Sequence, residues 1–300
     1  MANSREDFLP EVRNAGWFSS DTRMAANGKA NEAIMQKIGL MERPDLSNVE
    51  AVQMGHVLQD TIGRLAQDKL RMELKEADYM LSHPTEPWLK SHFDFISADG
   101  KTLVECKNYN AAVINKYDEE TNRVPPADFG QCVHEGTVHG IERVVLAILF
   151  GGQSFRTFSF EITPAHKEEL IQTMAVYWSH VASKTPMAPE TPDQARELFK
   201  TDTGNGVVAN AQAEQAIILL QQLQGQIKGL EAQEEHLKTL LMNYIGDNSE
   251  LVTVDGRVLA TWRSAKASKR FDSKLFQKAM PDIYDQFVVE SAGSRRFLIK

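Results

Sequence analysis

Hydrophobic and polar positions change their spacing along the chain, and each change predicts a different element. Apolar residues over 48–80 recur at intervals near 3.6, which is typical of an amphipathic helix. Apolar residues alternate on both sides of Asp99-Gly100, a dipeptide that favours a two-residue type I′ turn, so we predict a β-hairpin there. No regular element is expected before residue 31. The other elements predicted in this part are a short helix over 31–38, a loop over 108–126, a helix over 127–140, strands over 144–150 and 155–162, and a helix over 164–183.

The pattern changes again after a proline-rich stretch over 184–192, which predicts a linker between two parts, 1–200 and 201–300. A long helix over 211–244 carries apolar residues at alternating spacings of three and four. We expect it to pack against its own domain or a neighbouring helix rather than form a free coiled coil. Glu234 interrupts the apolar seam, and Gly225 and Gly229 weaken the helix. The remaining predicted elements are a helix over 193–200, a second Asp-Gly hairpin over 251–262, a helix over 273–280 and a strand over 296–299.

The first hairpin carries candidate chemistry. If Asp99 and Gly100 form its loop, Asp94 lies directly opposite Glu105, and Lys107 lies opposite His92. Period 2 places Lys107 on the same face as Glu105. Facing carboxylates repel unless a cation lies between them, and Mg²⁺ takes such oxygen ligands. The alternative is a surface hairpin with solvated charges.

Composition and charge narrow the function classes only slightly. The net charge of −8 argues against a protein coated in basic surface, although residues 251–300 hold ten Lys/Arg and five Asp/Glu. No apolar run approaches the ~20 residues of a membrane helix, so no membrane association is expected. The two cysteines, Cys106 and Cys132, form no metal-binding spacing, and no secretory segment is evident. We therefore expect a reduced, cytoplasmic setting.

The order helix, D…ExK hairpin, helix and two strands resembles the PD-(D/E)XK nuclease core. More narrowly, residues 17–190 resemble the phage lambda exonuclease and YqaJ-type viral recombinase family. The resemblance implies an α/β (α+β) fold, restriction-endonuclease-like, with a mixed sheet flanked by helices. The long helix and hairpin form a C-terminal extension that is similar to one found in some such phage proteins. The segments that carry the resemblance are GHVLQ (55–59), WLKSHFD (88–94), VECK (104–107), FGQCVH (129–134) and FGG (150–152).

The resemblance also implies a set of site residues. Arg23 corresponds to the arginine that holds a 5′-phosphate, although the segment after it departs from the usual Thr-Ala-Ser pattern. Phe93 stands where the family has a proline before the first aspartate. The implied catalytic residues are Asp94, Glu105, Lys107 and Gln131, and the implied metal ligands are Asp94, Glu105 and the backbone carbonyl of Cys106.

Gln59 is the largest departure from the family pattern, because it stands where the family has a glutamate on the first helix. A neutral amide is a poorer Mg²⁺ ligand than a carboxylate. His56 and Asp60 occupy neighbouring positions on the same predicted helix and are alternative ligands. His56 is equally well interpreted as a capping or packing histidine.

Four basic residues follow the second hairpin: Arg263, Lys266, Lys269 and Arg270. One interpretation is that they contact DNA phosphates, which gives affinity without sequence information. The other is an ordinary solvated loop.

Three functions are compatible with the sequence. The first is an exonuclease of phage recombination that uses Mg²⁺, with Mn²⁺ as a substitute, and degrades linear double-stranded DNA from 5′ to 3′. For this function the resemblance implies a ring-like homo-oligomer around DNA ends, a single-strand annealing protein as partner, and the bacterial host cytoplasm as location. The second is an endonuclease or repair nuclease of the same fold. The third, motivated by Gln59, is a non-catalytic DNA-binding or assembly protein.

Overall fold

A five-stranded mixed β-sheet organises the first of two units, residues 1–199 and 200–300, into which the chain divides. The computed structural model describes residues 10–77, 79–289 and 293–299. The helices of the first unit are α1 (Pro10–Asn14), α2 (Ser19–Ala26), α3 (Ala30–Lys37), α4 (Glu50–Leu70), α5 (Pro126–His139), α6 (Pro164–Ala182) and α7 (Pro192–Leu198), with a 3₁₀ helix at Ala111–Lys116. Its strands are β1 (Trp17–Phe18), β2 (Leu74–Glu76), β3 (Met80–Ser82), β4 (Leu89–His92), β5 (Phe95–Ser97), β6 (Thr102–Tyr109), β7 (Arg143–Phe150) and β8 (Ser154–Glu161).

The strand order of the large sheet is β2-β5-β6-β7-β8. Strands β6 and β7 run parallel, and the other neighbours run antiparallel. A smaller sheet has the order β1-β4-β3, with β1 and β4 parallel. Helices pack on the large sheet, so the prediction of a mixed α/β fold with a helix-flanked mixed sheet is confirmed.

Different helices pack on the two faces of the large sheet. On one face, Ile62 and Ala66 of α4 join a buried cluster with Val104 and Val145. On the other face, residues such as Val133 of α5 and Leu103 of β6 belong to the main core. Successive residues of β6 therefore point to α4 and α5 in turn.

Helix α4 approaches the sheet very closely at Gly63. A Cβ atom at this position would lie 2.5 Å from Cζ of Phe95 on β5. A side chain at residue 63 would force the buried Phe95 ring to shift, so glycine permits this close approach of α4 to the strand that follows Asp94.

The predicted register of the first hairpin is confirmed, whereas its predicted turn type is wrong. Phe95 pairs with Val104 and Ile96 with Leu103, as alternation around Asp99-Gly100 required. Of the two turn residues only Gly100 has a positive φ, +72°, and a type I′ turn needs both. Asp99 instead accepts hydrogen bonds from the Ser97 hydroxyl and the Lys101 N–H, which fixes a wider four-residue loop over 98–101.

The predicted pairing of Lys107 with His92 is wrong. His92 lies on β4 in the smaller sheet, where it pairs with Met80. The chain changes sheets between His92 and Phe95, and the carbonyl of Asp94 accepts from the Ala77 N–H within that crossing. Asp94 therefore stands immediately outside the ladder, one residue before the Phe95–Val104 pair.

Three further predictions for the first unit are wrong in part. The helix predicted over 48–80 ends at Leu70, because Arg71 adopts a left-handed conformation with φ +52° and caps it. Strands β2 and β3 occupy the rest of that range. The segment before residue 31 contains α1, β1 and α2, and part of the predicted 108–126 loop is 3₁₀ helix.

The second unit contains the long helix α8 (Ala211–Ile245), an antiparallel hairpin of β9 (Glu250–Val252) and β10 (Val258–Thr261), and the short helices α9 (Ser273–Ala279) and α10 (Pro281–Asp285). The strand predicted over 296–299 is wrong, because these residues have no regular structure. In the described part of the chain, no helix has the length and apolar character needed to span a bilayer.

A buried chain of hydrogen bonds ties α5 to the smaller sheet. Trp17 donates through Nε1 to the Thr22 hydroxyl at 3.1 Å, and that oxygen lies 2.8 Å from Nδ1 of His134. His134 Nε2 lies 2.8 Å from the carbonyl oxygen of Lys90, which can only accept. Nε2 therefore carries the proton, and Nδ1 accepts from Thr22.

We expect acid to destabilise the fold through His134. Burial lowers the pKa of this imidazole from 6.5 to about 4, so the unfolded chain binds a proton that the folded chain excludes between these values. Stability should fall as the pH drops from 6.5 to 4, by about 1.4 kcal/mol per unit and about 3 kcal/mol in all. Urea unfolding of wild type and His134→Gln at several pH values measures this loss. Parallel pH profiles for the two proteins would contradict it.

Candidate active site

A pair of adjacent carboxylates, the half-buried Asp94 and the buried Glu105, marks the candidate site. Asp94 precedes β5, Glu105 lies on β6, and the two side chains interact directly. Burial, together with the charge of Glu105, raises the pKa of Asp94 well above its usual value. The two acids therefore lie together as the hairpin register predicted, in surroundings that disfavour two negative charges.

Both oxygens of Asp94 accept hydrogen bonds. Gln59 of α4 donates its Nε2 to Oδ1 at 2.9 Å, and the backbone N–H of Cys106 donates to Oδ2 at 2.8 Å. Gln59 thus acts in this structure as a donor that orients Asp94. Its remaining amide oxygen is the atom that a metal would use.

Glu105 receives two donors on one oxygen. Lys107 Nζ and Gln131 Nε2 each lie 2.6 Å from its Oε1. Burial alone would lower the pKa of Lys107, but the charge of Glu105 and the nearby Tyr109 outweigh it and raise the pKa. Lys107 is therefore an ammonium group at neutral pH, with further N–H donors besides the one that binds Glu105.

Helix α5 contributes a third acid, which the sequence analysis missed. Glu135 accepts from Gln131 Nε2 at 2.9 Å, so a single amide nitrogen bridges Glu105 and Glu135. Glu135 is buried, and this burial, with the charge of Glu105, raises its pKa well above the usual value. The available signal was its position, four residues after Gln131 on the same helical face.

The donor set fits a Mg²⁺ ion with a mostly aqueous coordination shell. Mg²⁺ is held by one or two carboxylates, with water and phosphate oxygens completing the octahedron. Asp94, which is half-buried, and Glu105, which is buried, offer two carboxylate ligands whose mutual repulsion a cation would relieve. Gln131 Oε1, beside them, is buried without a hydrogen-bond partner within the described residues. The role of the Cys106 carbonyl stays a prediction.

The two alternative ligands lie elsewhere. His56 and Asp60 are exposed on α4. Among residues 10–77, 79–289 and 293–299, no group of three or more His, Cys, Asp or Glu side chains is arranged to hold a metal ion. The structure therefore does not gather His56 or Asp60 with the Asp94–Glu105 pair.

Arg23 is held by hydrogen bonds beside the face of β6 that carries Glu105 and Lys107. Its Nε donates to Asp128 at 2.8 Å and its Nη2 to the Tyr109 hydroxyl at 3.0 Å. Asp128 is buried and also accepts from the hydroxyls of Tyr109 and Tyr117. The Arg23 side chain nevertheless stays 38% exposed. Tyr109 follows Lys107 on the same face of β6, which places Arg23 along the line of the candidate site.

The four basic residues of the second unit lie on an exposed segment without regular structure. Arg263 forms an ion pair with Glu250 of β9. Lys266, Lys269 and Arg270 make no ion pair with any described residue. Their contact with DNA stays a prediction.

Comparison with known proteins gives low similarity. No protein-family model matches the chain, and no curated protein matches it. Among solved structures, the chain is similar to an alkaline exonuclease (LHK-Exo) from Laribacter hongkongensis, at 14% identity and a TM-score of 0.48, over 60% of this chain and 94% of that one. It is also similar to a phage related exonuclease from Haemophilus somnus 129PT, at 11% identity and a TM-score of 0.41, over 51% of this chain and 82% of that one.

Proposed function

We propose that the protein is a Mg²⁺-dependent exonuclease, with Mn²⁺ as a substitute metal, that hydrolyses phosphodiester bonds of linear double-stranded DNA. The observation that carries this proposal is the pair of interacting carboxylates, Asp94 and the buried Glu105, with Lys107 hydrogen-bonded to Glu105 at 2.6 Å. The D…ExK residues of the sequence thus lie together at one end of a hairpin, on a fold of the predicted class.

In this proposal Asp94, Glu105 and the carbonyl of Cys106 hold the metal. When bound, Mg²⁺ polarises the scissile phosphate and acidifies a water molecule. Gln59 and the Cys106 N–H fix the orientation of Asp94, and Gln131 fixes Glu105. Because these partners are already in place, the carboxylates need little rearrangement to accept a cation.

Lys107 supplies positive charge and hydrogen-bond donors. One N–H is directed at Glu105, and the others serve to orient the attacking water and to stabilise the negative charge that develops on the phosphate. An ammonium group has no lone pair, so Lys107 does not remove the proton from water.

Arg23 is proposed to bind the terminal 5′-phosphate, which would direct degradation from 5′ to 3′. Its side chain is partly exposed and its guanidinium is held by Asp128, an arrangement that suits a phosphate. Arg263, Lys266, Lys269 and Arg270 are proposed to contact the DNA backbone. A ring-like homo-oligomer, a single-strand annealing partner, phage recombination and a cytoplasmic location complete the proposal.

The test is a digestion assay with wild-type protein on 5′-labelled linear duplex, 3′-labelled linear duplex and covalently closed circular DNA. We expect release of 5′-labelled nucleotides from the linear substrate with Mg²⁺, loss of release with EDTA, and no attack on circles. Equal cleavage of circles would favour the endonuclease alternative. Binding to duplex DNA without cleavage in Mg²⁺ or Mn²⁺ would favour the non-catalytic alternative, which the Gln59 substitution motivates.

A further inference from the structure

Helix α8 exposes a long apolar stripe. Of its 35 residues only Ile245 is buried. Large apolar side chains along one side are about half exposed, for example Leu223 at 52%, Ile227 at 53% and Leu230 at 64%. Helices in proteins are stabilised mainly by packing of such a face, and Gly225 and Gly229 weaken the intrinsic propensity of this one. The stripe therefore requires a partner.

The stripe has the spacing of a coiled-coil seam. The alternating spacings of three and four define heptads whose a and d positions fall on one line along the helix. Gly225 and Gly229 occupy f and c positions on the opposite side, where they do not interrupt the seam. The six large apolar residues of the seam are Leu220, Leu223, Ile227, Leu230, Leu237 and Leu241.

Charge decides between the two orientations of a pair of such helices. Glu234 occupies an a position, and in a parallel pair it would face Glu234 of the other copy inside the seam. Like charges in that position destabilise the pair. In an antiparallel pair a residues face d residues, and Glu234 faces Leu223 instead. Its carboxylate is already paired with Lys238 at 2.9 Å.

The apolar pattern is also self-complementary in the antiparallel orientation. The stripe is broadest at its two ends, over 216–220 and 237–242, and more polar between them. In the register in which the two helices overlap along their full length, Ile227 faces Leu230 of the other copy and Leu220 faces Leu237. It also brings Leu219 and Leu240 together at the flanking g positions. Each broad end thus covers the other end of a second copy.

We propose that α8 is a homodimerisation element, and that its apolar stripe is covered by α8 of a second copy in the antiparallel register just described. This interaction is separate from nuclease activity and does not depend on it. The occupant is a second copy because the same helix supplies both complementary ends.

Two measurements on the full-length protein test the proposal. In the first, sedimentation equilibrium of wild type should give a mass at least twice the 33.7 kDa of the chain. The double variant Ile227→Glu/Leu230→Glu should sediment with half the mass of the wild-type assembly. The matched variant Gln222→Glu, which adds charge on the outer side of the same helix, should keep the wild-type mass.

In the second measurement, Ile227→Cys protein is mixed with Leu230→Cys protein under mild oxidation. The mixture should form a disulfide-linked dimer, whereas each variant alone should behave as wild type, whose native cysteines are Cys106 and Cys132. Cross-linking of each variant alone would show a parallel pair and overturn the proposed orientation. A monomeric wild type, or an unchanged mass in the double glutamate variant, would overturn the proposal altogether. Either result would mean that the stripe packs against another part of its own chain or against a different protein.

Discussion

Replacing Lys107 by methionine is expected to reduce Mg²⁺-dependent cleavage of linear duplex DNA by about 100- to 1,000-fold, the usual loss for one preorganised donor at developing charge. Methionine keeps the length and packing of the side chain but has no charge and no N–H group. The donor at 2.6 Å from Glu105 Oε1 is lost, and so are those proposed to act on water and phosphate. Initial rates on 5′-labelled linear DNA measure the effect.

Lys101→Met is the matched control for this experiment. Lys101 is exposed in the loop of the same hairpin, and its hydrogen bonds to Ser97 and Asp99 come from the backbone N–H. We expect wild-type rates from this variant. The loss in Lys107→Met should appear mainly in kcat, because the interaction is made with groups that react. Cleavage by Lys107→Met within a few-fold of wild type would remove lysine from the proposed mechanism.

Replacing Gln59 by glutamate is expected to tighten Mg²⁺ binding by about 100-fold, because it adds a third carboxylate ligand to a hard-cation site. The same change should lower the melting temperature of the metal-free protein. It removes the donor at 2.9 Å from Asp94 Oδ1 and places a negative charge against this half-buried acid. Added Mg²⁺ should then raise Tm more in the variant than in wild type, and cleavage should be faster at low Mg²⁺ concentration.

Thermal melts across a Mg²⁺ titration, with cleavage rates at each concentration, measure both effects. Gln53→Glu makes the identical substitution on α4 at an exposed residue whose amide bonds to the Ser47 carbonyl, so it should leave Mg²⁺ affinity unchanged. Equal Mg²⁺ dependence of wild type and Gln59→Glu would mean that the amide at residue 59 does not face a metal position.

The sequence predicted the central hairpin because its signals are local. Alternation around Asp99-Gly100 set the pairing of Phe95 with Val104, and period 2 placed Lys107 beside Glu105. The helix and two strands after the hairpin were also predicted, since each has a strong pattern of its own. These elements are sufficient to bring Asp94 and Glu105 together.

The errors arose where tertiary contacts decide the structure. Residues 89–97 alternate as one strand, but the chain leaves one sheet after His92 and enters another at Phe95. Apolar spacing continues past Leu70, yet the left-handed conformation of Arg71 ends α4. Glu135 has the sequence character of a surface acid, and only the packing of α5 on β6 shows that it is buried beside the site.

One turn of α5 connects the two ends of the proposed site. Asp128 accepts a hydrogen bond from Arg23, and Gln131 donates one to Glu105. These two residues are three positions apart and so separated by about 4.5 Å along the helix axis. A rigid helix keeps that interval constant. The binding of a DNA terminus by Arg23 and the position of the bond to be cut would therefore both depend on the placement of α5. A displacement of this helix would disturb both at once.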